Sequence, residues 1–144
     1  MATQTKPDLS IQTTDHPNAK RTREAFDAFS RGDLETVRNS LTADCTWTNA
    51  GTSPIAGTYQ GWDAIQEMFG KLIEITGGSF SMNVISCIAD DLHSATIYDA
   101  TSTINGKTAT ERFCLIDEMT PDGKAKATRV LAYDQESADS HWNA

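Results

Sequence analysis

The sequence predicts an α+β fold in which three helices cover the concave face of a curved antiparallel sheet. Helical periodicity is confined to the first half of the chain, period-two alternation fills the second half, and an Asn105-Gly106 pair divides the longest alternating stretch into two arms. Helices at one end of a chain and strands at the other do not build βαβ units, so the helices must lie together on one sheet face. A sheet curled over helices leaves a conical cavity between the two layers.

Residues 1–14 are polar and aperiodic and are expected to form a flexible tail, with one α+β domain over residues 15–144. Asp15-His16-Pro17 supplies a capping residue and a proline for a first helical position; Thr22, Phe26 and Phe29 then recur at helical spacing until Gly32. Asp33 caps a short second helix whose Leu34, Val37 and Leu41 share a face. Alternation begins at ADCTWTN, a first strand from Ala43 to Asn49, and a second short strand is expected near Ile55 to Tyr59. Trp62, Ile65, Phe69, Leu72 and Ile73 stripe a third helix that Gly77-Gly78 ends through a left-handed cap. Phe80, Met82, Val84 and Ile88 alternate up to the Asp90-Asp91 turn. Long strands from Leu92 to Ile104 and Lys107 to Met119 flank the hairpin turn, and a last strand runs from Lys124 to Asp134 before a polar tail that contains Trp142.

Twelve basic against twenty acidic residues, a net charge of −8, leave no surface suited to neutralising phosphates, which excludes nucleic acid and anionic membrane as partners. No signal-peptide pattern and no run of about eighteen apolar residues occurs, so the protein is expected in the cytoplasm. Cys45, Cys87 and Cys114 are odd in number and widely spaced, consistent with small core residues in a reducing compartment. No group of His, Cys, Asp and Glu repeats at ligand spacing, and neither a metal nor another cofactor is expected.

The element order, with AFDAFSRGDLETVRNSLTADCTWTN, the later GTYQGWDAI and the final YDQ…W, resembles the SnoaL-like branch of the nuclear-transport-factor-like, or ketosteroid-isomerase-like, superfamily, over about residues 17–142. The resemblance implies a cone-shaped, cystatin-like fold and a hydrophobic pocket. Its members include isomerases, polyketide cyclases, dehydratases, epoxide hydrolases and pure binding domains, so the fold does not by itself name a reaction. The tyrosine and two aspartates that ketosteroid isomerases use fall at Ala25, Leu115 and Ala50. The acid and histidine of SnoaL itself fall at Val130 and near Cys114 or Ile116. Limonene epoxide hydrolase gives a partial match: Asn49 and Asp99 agree with its asparagine and one aspartate, while Trp47, Ile97 and Val130 replace its tyrosine, arginine and second aspartate.

Asp99 is the candidate acid/base, because an aspartate inside a long strand is out of place unless it has a task. If the face of Ala95, Ile97 and Asp99 lines the cavity, Ile97, Val130 and Trp47 desolvate the carboxylate, and Asn49 orients the substrate group or a water. In the alternative arrangement the opposite face lines the cavity and Asp99 pairs with Arg112 or Arg129. Trp47, Tyr59, Trp62, Phe69, Ile97, Phe113, Leu115 and Val130 are the candidate substrate-binding residues. His93 shares the Asp99 face, Glu111 is a candidate rim acid, and Asp134 starts the turn into the tail; His16 and His141 fall in tails.

Two functions of different class follow. One is a cofactor-independent isomerase, cyclase or hydrolase for a small apolar organic molecule; the other is a non-catalytic ligand-binding or assembly domain. A homodimer is expected through the outer sheet face, assigned to Thr96, Tyr98, Ala100 and Ser102 with Cys114, Ile116, Leu131 and Tyr133.

Overall fold

The computed structural model describes residues 15–144, so the expected flexible tail lies outside the described residues. The elements run α1 (Pro17–Ser30), α2 (Leu34–Asn39), β1 (Leu41–Asn49), β2 (Gly57–Gln60), α3 (Trp62–Thr76), β3 (Ser81–Ala89), β4 (His93–Ile104), β5 (Lys107–Met119), β6 (Ala125–Ala132) and α4 (Gln135–Trp142). Six strands form one open sheet in the order β2-β1-β6-β5-β4-β3. The fold class is α+β as the sequence predicts, with two differences. The joint between β1 and β6 is parallel, and a fourth helix replaces the expected polar tail.

Local chemistry starts and stops these elements. His16 caps α1, its Nδ1 accepting the Asn18 N–H at 3.0 Å while Pro17 occupies the first turn. His16 Nε2 lies 2.8 Å from Asp91 Oδ1, tying the start of α1 to the β3–β4 turn, so this histidine is not in a free tail. Asp33 caps α2 by accepting from the Thr36 N–H and hydroxyl, contacts that hold its carboxyl below the usual range. The α3 stripe of Ile65, Met68, Phe69 and Leu72 is buried, and Gly77, with φ +58°, ends the helix.

The Asn105-Gly106 turn sets the register of the long hairpin. Both residues have positive φ, 51° and 76°, as a two-residue hairpin turn demands. Ile104 therefore pairs with Lys107, Tyr98 with Phe113, and Asp99 with Arg112. Paired residues project to the same face, so Phe113 takes Tyr98 to the helix side and Asp99 goes with Arg112 to the other. All even positions of β4 from Ser94 to Ile104 are buried. Bulges between Val84 and Ser86 and between Glu118 and Met119 bend the sheet over the helices.

The core sits between sheet and helices. One cluster joins Ala28, Val37, Ile65, Phe69, Met119 and Trp142; a second joins Phe26, Tyr98, Ala100 and Leu115. Phe29 and Trp47 both meet the Phe69 ring edge-on, at 5.0 and 5.1 Å.

Candidate functional site

The concave face carries a cavity of about 140 Å³. Its lining runs the whole length of β6, from Gly123 and Ala125 past Ala132 to Gln135. A cavity of this size accepts a molecule of one or two rings. The walls are mostly apolar, and their aromatic residues include Phe26 and Phe29 from α1, Phe69 from α3, Phe80, Tyr98 and Phe113 from the sheet side, and Trp142 from α4.

The floor follows from the strand register. Ser94, Asp117, Thr128, Trp47 and Tyr59 are successive partners across β4, β5, β6, β1 and β2, and Leu115, Val130 and Asn49 form the next row. Asp117 thus stands on the same stripe as Phe113, Leu115 and Met119, and it lines the cavity at 6% exposure. Thr128 Oγ1 donates to its Oδ1 at 2.5 Å and Ser94 Oγ to its Oδ2 at 3.2 Å, while Ser94 also meets Thr22 Oγ1 at 2.9 Å. Burial raises the Asp117 carboxyl from 3.8 to about 6, the two hydroxyl donors opposing the shift. Sequence reasoning missed this residue, although the alternation Phe113, Leu115, Asp117 was there to find it.

Asp99 is outside the cavity, which overturns its expected role. The guanidinium of Arg112 donates to both its oxygens, Nε to Oδ1 at 2.8 Å and a terminal nitrogen to Oδ2 at 3.1 Å. That contact holds the carboxyl below the usual range, opposite to the shift a cavity acid needs. Ile97 shares this outer face and is not part of the cavity lining. The hairpin register pairs Tyr98 with Phe113 on the cavity side, which puts Ile97 and Asp99 on the other.

Of the other expected site residues, Trp47, Asn49, Phe69, Phe113, Leu115 and Val130 line the cavity. Asn49 is engaged within the protein: its Oδ1 accepts the Trp47 indole N–H at 2.9 Å and its Nδ2 donates to the Ile55 carbonyl at 2.9 Å. Asn49 therefore positions Trp47 and the loop after β1. Tyr59 and Trp62 stand behind the lining. The Tyr59 hydroxyl donates to the Ile55 carbonyl at 3.0 Å, and Trp62 meets the edge of Phe69 at 6.2 Å.

The charged candidates have structural partners. His93 Nδ1 lies 3.0 Å from Asp90 Oδ1 at an exposed turn. Asp134 caps α4 by accepting the Ser137 N–H at 3.0 Å, and Glu111 accepts the Ser137 hydroxyl at 2.8 Å. His141, expected in a tail, is buried in α4 with Nε2 2.9 Å from Ser102 Oγ. Asp139 accepts the Thr52 N–H at 3.0 Å, so α4 is pinned from three sides over one end of the cavity. Among the described residues no three His, Cys, Asp or Glu side chains gather as a metal site.

The architecture is a six-stranded α+β cone with a mostly apolar cavity and a buried acid on its floor. The chain belongs to the SnoaL-like domain family, which matches residues 22–128. Bal32a, from a soil-derived mobile gene cassette, superposes with a TM-score of 0.81 at 29% identity, over 87% of this chain and 95% of that one. TerC, co-crystallised with polyporic acid, gives 0.78 at 20% identity over 89% and 99%. SalBIII, an epoxide hydrolase/cyclase-like enzyme in pyran ring formation in the polyether salinomycin, gives 0.68 at 17% over 84% and 94%. At these identities the latter two establish shared architecture. Among functionally curated proteins none matches this chain.

Proposed function

We propose that this protein binds a small, mostly apolar organic molecule in the cavity and acts on it without a cofactor, with Asp117 exchanging the proton. The observation that carries the reading is the buried Asp117 carboxyl on the floor of a mostly apolar cavity. With its proton affinity raised to about 6, Asp117 is mostly ionised at neutral pH and basic enough to take a proton from a carbon acid. Thr128 and Ser94 hold the carboxylate in place, and Thr22 holds Ser94. The titratable groups that feel its charge are the buried thiols of Cys45 and Cys87, both pushed up by burial and so held protonated. Among the described residues its hydrogen-bond partners are hydroxyls, not a second carboxyl or imidazole, which favours reactions that return the proton to another atom of the same molecule. Isomerisation and cyclisation meet that condition. Epoxide opening, which needs one group to activate water and another to protonate the leaving oxygen, fits less well. Among structural neighbours, an epoxide hydrolase/cyclase-like enzyme and a protein co-crystallised with polyporic acid share the same architecture.

The test is deuterium uptake at the enolisable position of 1-indanone in heavy water. The wild type should accelerate exchange, with a rate that rises through pH 6, and Asp117→Asn should lose about 100-fold or more of that acceleration. Equal rates for the two proteins would refute the role of Asp117.

A non-catalytic binding domain is the second reading, favoured by the fact that both Asp117 oxygens already accept hydroxyl hydrogen bonds. It predicts binding of 1-indanone with exchange no faster than in buffer.

The reading includes a homodimer through the outer sheet face. Tyr98, Thr96, Ala100 and Ser102 belong to the concave side, and the corrected face has Ile88, Ala95 and Ile116 in one register row and Ile97, Cys114 and Leu131 in the next. Ile88, Ile116, Leu131 and Tyr133 are 45%, 36%, 42% and 62% exposed, a patch suited to pairing with its own copy. The three free cysteines accord with a cytoplasmic setting, and no helix among the described residues is long and apolar enough to cross a membrane.

A further inference from the structure

Tyr98 is only 5% exposed and lines the cavity, its ring stacked on Phe113 at 5.7 Å and met edge-on by Phe26 at 5.1 Å. The other buried hydroxyls on the concave side of β4 and β6 are all partnered: Ser94 and Thr128 with Asp117, Thr96 with the Cys87 sulfur, and Ser102 with His141. The Tyr98 hydroxyl has no hydrogen-bond partner among the described residues, and its oxygen is not among the fully buried unpartnered atoms, so it reaches accessible space on the cavity side. A phenylalanine would fill the same space between the two rings, so packing alone does not account for the oxygen. Burial pushes the phenol well above its usual range, and the group stays neutral and able to donate at any physiological pH.

We propose that Tyr98 is the hydrogen-bond donor that fixes a carbonyl oxygen of the cavity's ligand, which makes the ligand class a small uncharged ketone, quinone or lactone. This rests on the reading of the cavity as a ligand site. Tyr98 and Asp117 are one strand apart, and the register separates them by four residues along it, about 13 Å at a rise of ~3.3 Å per residue. That is a separation of backbone positions, across which both side chains reach into the one cavity; the donor role of Tyr98 is independent of proton exchange at Asp117. A ligand without an acceptor oxygen leaves the donor stranded, and the site discriminates against it on that account.

The experiment compares 1-indanone with indane, which has the same bicyclic skeleton without the oxygen, by NMR titration of wild type and Tyr98→Phe. The ketone should bind the wild type more tightly than the hydrocarbon. Tyr98→Phe should weaken the ketone about tenfold and leave indane unchanged. The infrared carbonyl band of bound 1-indanone should lie at lower frequency in wild type than in the variant. Replacing the three tyrosines with the more acidic 3-fluorotyrosine should lower it further, which keeps the test open if Tyr98→Phe does not fold. Indane and ketone binding alike, with no carbonyl shift, would overturn the role of Tyr98 and leave the cavity reading standing. Binding of neither molecule would overturn both.

Discussion

Thr128 donates its hydroxyl to Asp117 at 2.5 Å, directly across the β5–β6 pair, and so fastens the buried acid to the neighbouring strand. This contact and the Ser94 hydroxyl stabilise the carboxylate but do not offset its loss of water, since the carboxyl still titrates near 6.

Asp117→Asn should stabilise the protein at high pH and not at low pH. The folded pKa is raised from 3.8 to about 6, so between those values the folded state holds a proton that the unfolded chain has released. Stability therefore falls as pH rises through this window and levels off above it. The two-unit rise corresponds to roughly 3 kcal/mol, an upper figure because Asn replaces one acceptor by a donor. Thermal melts should show the variant's advantage at pH 8 and its disappearance near pH 4. A constant difference would mean that Asp117 does not titrate as described.

Asp99→Asn should leave ligand affinity and any proton exchange unchanged, because the side chain faces away from the cavity and its partner is Arg112. Titration with 1-indanone checks this directly. A loss of affinity as large as that of a cavity variant would put Asp99 back in the site.

Asn49→Leu should free the Trp47 indole N–H, while the Ile55 carbonyl keeps the Tyr59 hydroxyl as a donor. Leaving a partly buried donor unpaired costs about 1–3 kcal/mol, and Trp47 should become more accessible to acrylamide. Trp62, which Asn49 does not touch, serves as reference through single-tryptophan versions of each protein. Unaltered quenching of Trp47 would show that Asn49 does not position it.

Leu131→Asp should convert a dimer into a monomer in sedimentation velocity without changing the cavity. Leu131 is 42% exposed on the outer face, in register with Cys114 and Ile97, and taking a carboxylate out of water at an interface opposes association. A wild type that is monomeric at micromolar concentration would refute the interface.

Much of the fold was legible because it depends on local chemistry. The Asp33 cap, the α3 stripe from Ile65 to Leu72, the Gly77 terminus and the Asn105-Gly106 turn each declare an element without reference to distant residues. The same turn also held the information that corrects Asp99: a two-residue loop puts Ile104 opposite Lys107, and counting outward pairs Tyr98 with Phe113. Placing Phe113 in the cavity and Tyr98 outside it was therefore inconsistent within the sequence itself. α4 was harder to see, since its buried side is only Ala138, His141 and Trp142 on an otherwise polar eight-residue segment. Its stability comes from tertiary contacts, the Ser102–His141 and Glu111–Ser137 hydrogen bonds and the seat of Trp142 against Phe80.

By itself the sequence determined the element types except that of α4, the hairpin register and, through alternation, which residues share a face, because backbone preference and period-two geometry act over a few residues. Which face became the cavity, which acid was desolvated and which hydroxyl was left without a partner were decided only when β1 docked in parallel beside β6 and the helices closed over one side. Burial and hydrogen bonding belong to groups far apart in the chain. Asp99 and Asp117 are both strand aspartates in the sequence, and packing alone made one a solvated ion-pair partner and the other a buried acid.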